Sequence, residues 1–453
     1  MTPSFDKKQV LVLGSGRSGC AAARQLLRLG ARVTSYDRNP GAGRRELPDG
    51  VERISGDTLP SFEGYDLVVA SPGIPVRAHP GLWPEIDLAH ALIPSPIVGV
   101  TGTNGKSTTS VLLARMLEAS GLTVGLGGNL GTPLCDLAPP SGPAADWVVA
   151  ELSSFQLEHA ERFHAEVAVL LNLTPDHLDR HHSFEAYGAA KARLVERQRA
   201  SDTVVFSADD RWAQRVAEVA PSRAVPFSTG KLLRDRPDAA FLDQGSLAVV
   251  REERQFCRIA LEKLSPASRS PIQNALAAAA AAAHCGASAA GIASALESFE
   301  GLPHRNQLVG IRAGVRFVND SKATNPEAAA ASRGARTAPV VWLAGGRNKG
   351  LRFDGVADAA QGIRGAVLFG ESAEDLERAL RADGKLEVLR CESLAEAVPA
   401  AARLARTGDT VLLSPACASF DQFESYEERG ECFAMLVRNL SAQEDETEEA
   451  EPC

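Results

Sequence analysis

Nowhere does the chain string together the eighteen or so apolar residues that a helix needs to cross a membrane, so no spanning helix is expected. Residues 1–8 hold no apolar leader and run straight into a strand-like stretch, so no signal segment is expected there. The eight cysteines are scattered and include no C-x-x-C pair. That argues against a disulfide framework or a cysteine zinc site and fits a reducing cytoplasm. An excess of basic charge is also missing: 48 Lys and Arg face 57 Asp and Glu, for a net charge of −9. A general nucleic-acid binder is therefore not expected, because phosphate contacts want a basic face. No solenoid repeat period and no H-E-x-x-H zinc motif is present.

What is present is ordinary globular composition, 44% hydrophobic and 23% charged over 453 residues. At roughly 150 residues per domain, that length suggests about three domains, each able to bury a core. The negative charge is concentrated at one end. Glu444, Asp445, Glu446, Glu448, Glu449 and Glu451 are six acids in the last ten positions, and setting them aside leaves −3. Residues 441–453 read as a solvated acidic tail.

One pattern recurs: a short run of Val, Leu and Ile ends at small or polar residues, and a helix-like segment follows. Such runs end at Gly14, Ser71, Thr101, Glu151, Asn172, Asn319, Gly345, Gly370 and Ser414. Continuous apolar runs alternating with helices indicate parallel strands covered on both faces, an α/β doubly wound architecture. Ligands of such sheets sit at the C-terminal strand ends, where these polar residues lie. Pro94-Ser95-Pro96 and Gly301-Leu302-Pro303 mark breaks. The seven alanines Ala277–Ala283, followed by His284-Cys285-Gly286, predict a packed helix closed by glycine.

The first chemical motif is Gly14-Ser15-Gly16-Arg17-Ser18-Gly19, between strand and helix, with Asp37 ending the next strand-like segment. This is the dinucleotide fingerprint: glycines for close phosphate approach, a helix N-terminus for charge, an acid for a ribose hydroxyl. An NAD-dependent oxidoreductase is one function it allows. The second is Thr101-Gly102-Thr103-Asn104-Gly105-Lys106-Ser107-Thr108 after the strand at 97–100. Its Gly-Lys-Ser core is that of a phosphate loop, although Val100 stands where the strict pattern has glycine. Lys106 would reach the β- and γ-phosphates and Ser107 would offer its hydroxyl to Mg²⁺. A catalytic ATPase-type enzyme and a non-catalytic nucleotide-binding regulator both fit.

A phosphate loop wants a metal-binding acid on a neighbouring strand end, and Glu151 is the candidate. His177 follows another strand end, in Asn172-Leu173-Thr174-Pro175-Asp176-His177. Lys191 reads by composition as an ordinary helical lysine. Further along, Lys322 lies in Asn319-Asp320-Ser321-Lys322-Ala323-Thr324-Asn325 and Lys349 in Gly345-Gly346-Arg347-Asn348-Lys349. Both suit clamping of carboxylates or phosphates. Ser414-Pro415-Ala416-Cys417-Ala418-Ser419-Phe420-Asp421 could complete an anion site; Cys417, with no histidine nearby in sequence, reads as a packed thiol rather than a nucleophile.

In chain order these pieces resemble the Mur ligases, ATP-dependent amide-bond-forming enzymes of peptidoglycan synthesis, over residues 8–440. The segments 319–325 and 414–423 resemble the branch that adds D-glutamate to UDP-N-acetylmuramoyl-L-alanine. Folylpolyglutamate synthetase, a cousin, lacks an N-terminal domain of this kind. The resemblance implies a Rossmann-like UDP-sugar domain over 1–93 and a central P-loop ATPase-like domain over 94–302. A Rossmann-like amino-acid domain over 303–440 and the tail over 441–453 complete the division. It implies ATP and two Mg²⁺ ions, an acyl-phosphate intermediate, a monomer, no nucleic-acid partner, and a cytoplasmic role in cell-wall synthesis, shape and division. By this resemblance Ser15, Arg17, Ser18, Asp37, Arg38, Gly73, Asn129 and His177 contact the UDP-sugar. Gly102, Thr103, Asn104, Gly105, Lys106, Ser107, Thr108, Asn274, Arg305 and Asp320 contact ATP. Ser107, Glu151, His177 and a carbamylated Lys191 hold metal, with Lys106, Glu151, His177 and Lys191 catalytic. Lys322, Thr324, Lys349, Ser419 and Tyr426 receive D-glutamate. One departure is Ser270-Pro271, where the family has His-Asn. Ser270 as N-cap and Pro271 in the first turn are expected to start a helix, without an amide for adenine.

Overall fold

The structure, a computed structural model, describes residues 4–448 apart from 44–45, 75–80, 140–143, 270, 335, 337, 349, 351–352, 354–362 and 381–385; the side chains of 441–448 are outside the description. Three sheets form. The first is wholly parallel, in the spatial order Glu52–Ser55, Arg32–Asp37, Gln9–Leu13, Leu67–Ala70, Leu82–Pro84. The second has nine strands. Val124–Gly128, Trp147–Glu151, Ile97–Thr101, Val167–Leu170, Thr203–Ser207, Arg223–Ser228 and Ala239–Asp243 run parallel, and Ser246–Arg251 and Arg254–Ala260 extend it antiparallel. The third runs Gln307–Arg312, Val315–Asn319, Thr410–Ala416, Val340–Gly345, Ile363–Phe369, Glu387–Cys391, antiparallel only at its first pair.

The expected apolar runs are the buried central strands. Every residue of Ile97–Thr101, Leu67–Ala70, Val340–Gly345 and Thr410–Ala416 is buried, as strands covered on both faces require. Sequence patterning passed over two interior parallel strands, Thr203–Ser207 and Arg223–Ser228, along with edge and antiparallel ones. Arg254–Ala260 mixes exposed and buried positions, and Glu387–Cys391 has no buried residue.

The chain packs as two compact units, residues 1–173 with 185–300, and residues 174–184 with 301–453. Within the first unit the helix Glu85–Leu92, which follows the last strand of the first sheet, is fastened to loops of the second sheet. Both oxygens of buried Asp87 are used: Oδ2 accepts the N–H groups of Glu161 and Arg162, and Oδ1 that of Phe163. Glu85 accepts the N–H of Cys135, and Arg24 pairs with Asp136 through two nitrogens. These bonds explain why the first two sheets form one unit despite the break at residues 94–96.

The helix Ile272–His284 buries all seven of Ala277–Ala283 and is followed by Gly286 at φ +90°, the expected glycine close. Its start differs from the expectation. Pro271 is itself the N-cap residue and Ile272 the first helical one, while Ser270 lies outside the described residues. The last helix spans Tyr426–Glu448, so the first part of the expected acidic tail has helical backbone.

Replacing Asp87 with Ala leaves the buried Phe163 N–H and the part-buried Glu161 and Arg162 N–H groups without this acceptor and should cost about 1–3 kcal/mol of stability. Chemical denaturation would show it as a lowered midpoint; an unchanged midpoint would rule out the fastening role.

Candidate active site

The phosphate loop lies where the strand Ile97–Thr101 ends and the helix Lys106–Glu118 begins. Gly105 adopts φ +89°, a left-handed turn that starts the helix with no side-chain cap. Two amines meet on one carbonyl of this loop. Lys106 Nζ donates to Gly102 O and Thr103 O at 2.8 Å each, and buried Lys191 Nζ donates to Gly102 O at 2.9 Å. Thr103 Oγ1 is 3.2 Å from the Tyr187 hydroxyl. Glu151 is the register partner of Val100, so it stands beside the strand that feeds the loop. Its Oε1 accepts the Asn129 amide at 2.7 Å. Asn274 reaches the loop from the alanine helix: a Cβ on Gly105 would lie 2.3 Å from its Oδ1, an atom that is buried and accepts no hydrogen bond from the described residues. Buried acceptors are ordinarily satisfied, so this one is suited to a ligand's donor.

Ser107 and Thr108 are buried in the first helical turn, and the described residues contain no cluster of three or more His, Cys, Asp or Glu able to hold a metal. Mg²⁺ does not require one. It takes one or two carboxylates together with phosphate oxygens and water, and Ser107 with buried Glu151 is a donor set of that kind.

The glycine loop at residues 14–19 turns tightly against its helix. A Cβ on Gly19 would fall 1.8 Å from Gly14 O, whereas one on Gly16 would meet none of the described residues within 4 Å. The open side at Gly16, at the N-terminus of the helix Arg17–Arg28, is where an anion can approach. Asp37 braces this loop as well as ending its own strand. Its Oδ2 accepts the Ser15 N–H at 2.7 Å and its Oδ1 the Asn39 N–H at 2.9 Å. Arg17 donates to Gly131 O and Arg38 to Asp57 O, Ser18 is half-buried, and Gly73 lies in open space.

In the second unit, His177 caps the short helix Leu178–His181, and its N–H donates to Asp176 Oδ1 at 2.9 Å. Asp176 Oδ2 accepts from Asn325 Nδ2 at 3.2 Å. His177 belongs to the second unit and Glu151 to the first. Lys322 Nζ sits 3.7 Å from the centre of the Tyr426 ring, half-buried Thr324 follows it, and Ser419 is buried. Lys349 lies outside the described residues.

Sequence reasoning missed Arg429. Fully buried on the last helix, it donates Nε to Ser321 Oγ, and Nη2 to both Ser321 O and Cys417 O. With Nη1 donating to Gly345 O as well, it ties together the three segments that hold Lys322 and Thr324, Lys349, and Ser419. Burial lowers its pKa to about 10, still charged at neutral pH. Its only sequence signal is a charge on an amphipathic helix, which says nothing about what it touches.

Asp320 accepts the Asn306 N–H through Oδ1. Burial pushes its carboxyl from 3.8 up to about 6, with the Ser332 hydroxyl and the Arg305 and Arg336 charges pulling the other way. A raised folded-state pKa gives stability that is complete below the unfolded value and is lost as pH rises through about 6. Replacing Asp320 with Asn should flatten this part of the stability–pH curve between about pH 4 and 6, measured by denaturation across pH. An unaltered slope would contradict the burial argument.

The chain matches the Mur ligase middle domain over residues 100–282 and the Mur ligase, glutamate ligase domain over residues 304–417. It is 39% identical to the UDP-N-acetylmuramoylalanine–D-glutamate ligase of Pelotomaculum thermopropionicum, covering 97% of this chain and 99% of that protein. It is 40% identical to the ligase of the same name from Myxococcus xanthus, over 97% of this chain and 100% of that one. Its fold resembles a pseudomurein peptide ligase type C from Methanothermus fervidus, with a TM-score of 0.63 at 18% identity, covering 96% of this chain and 100% of that one. With identity at this level across nearly its whole length, the chain belongs to the Mur ligase family, among the UDP-N-acetylmuramoylalanine–D-glutamate ligases.

Proposed function

We propose that the chain joins D-glutamate to UDP-N-acetylmuramoyl-L-alanine with cleavage of ATP to ADP and phosphate, in the cytoplasm, as a step of peptidoglycan precursor synthesis. The observation that carries this is the convergence of Lys106 and Lys191 on the Gly102 carbonyl, in a loop whose feeding strand lies beside Glu151. In the division proposed here, residues 1–93 hold the UDP-sugar, 94–302 the ATP and 303–440 the D-glutamate.

The carboxylate of the L-alanyl group attacks the γ-phosphorus of ATP, and ADP leaves. Lys106 exchanges its carbonyl acceptors for phosphate oxygens and offsets the charge that spreads over the transferring group. The acyl phosphate then receives the neutral amine of D-glutamate at its carbonyl carbon. The tetrahedral adduct loses phosphate, the amine nitrogen loses a proton, and an amide remains. Lys322, Thr324, Lys349, Ser419 and Tyr426 would orient the D-glutamate carboxylates, and exclusion of water keeps the acyl phosphate from hydrolysis.

Ser107 and Glu151 would hold Mg²⁺, with His177 and a carbamylated Lys191 as the further ligands of a two-ion site; the metal supplies neutralisation of phosphate charge. Carbamylation suits the place of Lys191. Two ammonium groups on one carbonyl oxygen repel each other, and a carbamate on Lys191 would replace that repulsion with attraction to Lys106. Mass spectrometry with CO₂ retained would detect the modification.

Phosphate release from ATP should require both UDP-N-acetylmuramoyl-L-alanine and D-glutamate. Lys106→Ala should lower kcat by about 100-fold or more while the chain stays folded. Turnover with L-lysine or diaminopimelate in place of D-glutamate would overturn the assignment.

A further inference from the structure

One side chain holds the phosphate loop without belonging to it. Asn172 lies just beyond the strand Val167–Leu170, whose neighbour in the sheet is the strand leading into the loop. Its side-chain Oδ1 accepts the backbone N–H of Asn104 at 2.9 Å, and its Nδ2 donates to the backbone O of the same residue at 3.0 Å. Its own backbone O accepts the Thr103 N–H at 2.9 Å. Reversing the amide would set donor against donor and acceptor against acceptor, so the orientation follows from the bonding.

A primary amide that addresses both polar groups of one residue fixes how that residue's two peptide planes are turned, as a neighbouring strand would. The loop also lies flush against this wall: a Cβ on Gly102 would stand 2.9 Å from Leu171 Cβ and 3.2 Å from Asn172 N. The Asn104 N–H is consequently turned to Asn172. The orientation of residues 103–104 sets where the Gly102 and Thr103 carbonyls point, and these are the acceptors on which Lys106 rests. Asn172 therefore governs where the lysine amine waits before a phosphate arrives.

We propose that Asn172 is a positioning residue for the phosphate loop, holding residues 103–104 and through them Lys106 in the geometry that receives the phosphates of a nucleotide. This rests on the proposed function only in taking a nucleotide as the loop's ligand.

The test compares Mg-ADP binding by titration calorimetry in the full chain and in Asn172→Ala and Asn172→Asp, with thermal melts as the check on folding. Loss of the two side-chain bonds should weaken ADP binding about 10- to 100-fold. KM for ATP should rise while KM for the UDP-sugar substrate stays within about twofold. The Asp variant has a second signature. Ionised, it sets a carboxylate oxygen against the Asn104 carbonyl; protonated, it again offers one acceptor and one donor. Its affinity relative to the unsubstituted chain should therefore recover as pH falls from about 8 towards about 5.5, and that of the Ala variant should not. A general loss of packing would produce neither the split in KM nor the recovery. Folded variants that bind ADP like the unsubstituted chain would overturn this inference alone, and no ADP binding by the unsubstituted chain would overturn it together with the proposed function.

Discussion

A parallel strand buried on both faces offers few partners to a polar side chain along its length, so most of its chemistry is displaced to its ends. This constraint organises the protein. The strands Ile97–Thr101, Val340–Gly345 and Thr410–Ala416 are buried throughout, and each gives way to candidate functional residues. Glu151 shows the effect most clearly. It is the last residue of its strand, a charged group at the first point where the sheet allows one, and the register sets it beside the residue that opens the phosphate loop.

That rule also explains how much was legible in the sequence. The runs ending at Thr101, Glu151 and Asn319 were readable because apolar continuity and the polar residue that stops it are local features. The Gly-Lys-Ser core and the glycines at 14–19 were readable because a tight turn next to a helix demands particular residues. Arg429, Asp87 and Asn172 were not readable as anchors. Each acts on groups distant in the chain, with separations of up to 108 residues for Arg429, 76 for Asp87 and 68 for Asn172, and most of those groups are backbone, which leaves no mark on sequence. Edge strands such as Glu387–Cys391 escaped for a different reason, since half-exposed strands carry little continuous apolar signal.

The acidic residues fall into physically distinct groups. Asp243 and Asp409 are paired with arginines, which hold their carboxyls below the ordinary range. Glu85 and Asp320 are buried, and burial raises them to about 7 and about 6. A net charge summed over the sequence treats all four alike, together with a terminal acidic stretch that contributes most of the total. The local field around each strand end, not that sum, is what an anionic substrate meets.

The seven buried alanines of the helix Ile272–His284 look like the least informative stretch of the chain, yet they act as a spacer of minimum thickness. With only methyl groups of its own along the alanine run, this helix can pack closely on its neighbour Lys106–Glu118, and Asn274 at its N-terminal end reaches the turn at Gly105. The placing of the Asn274 amide at the phosphate loop thus depends on the small side chains of the turns that follow it. A segment that performs no chemistry is among the parts of this protein with least freedom to vary, because any enlargement there would be felt as a misplaced amide at the phosphate loop.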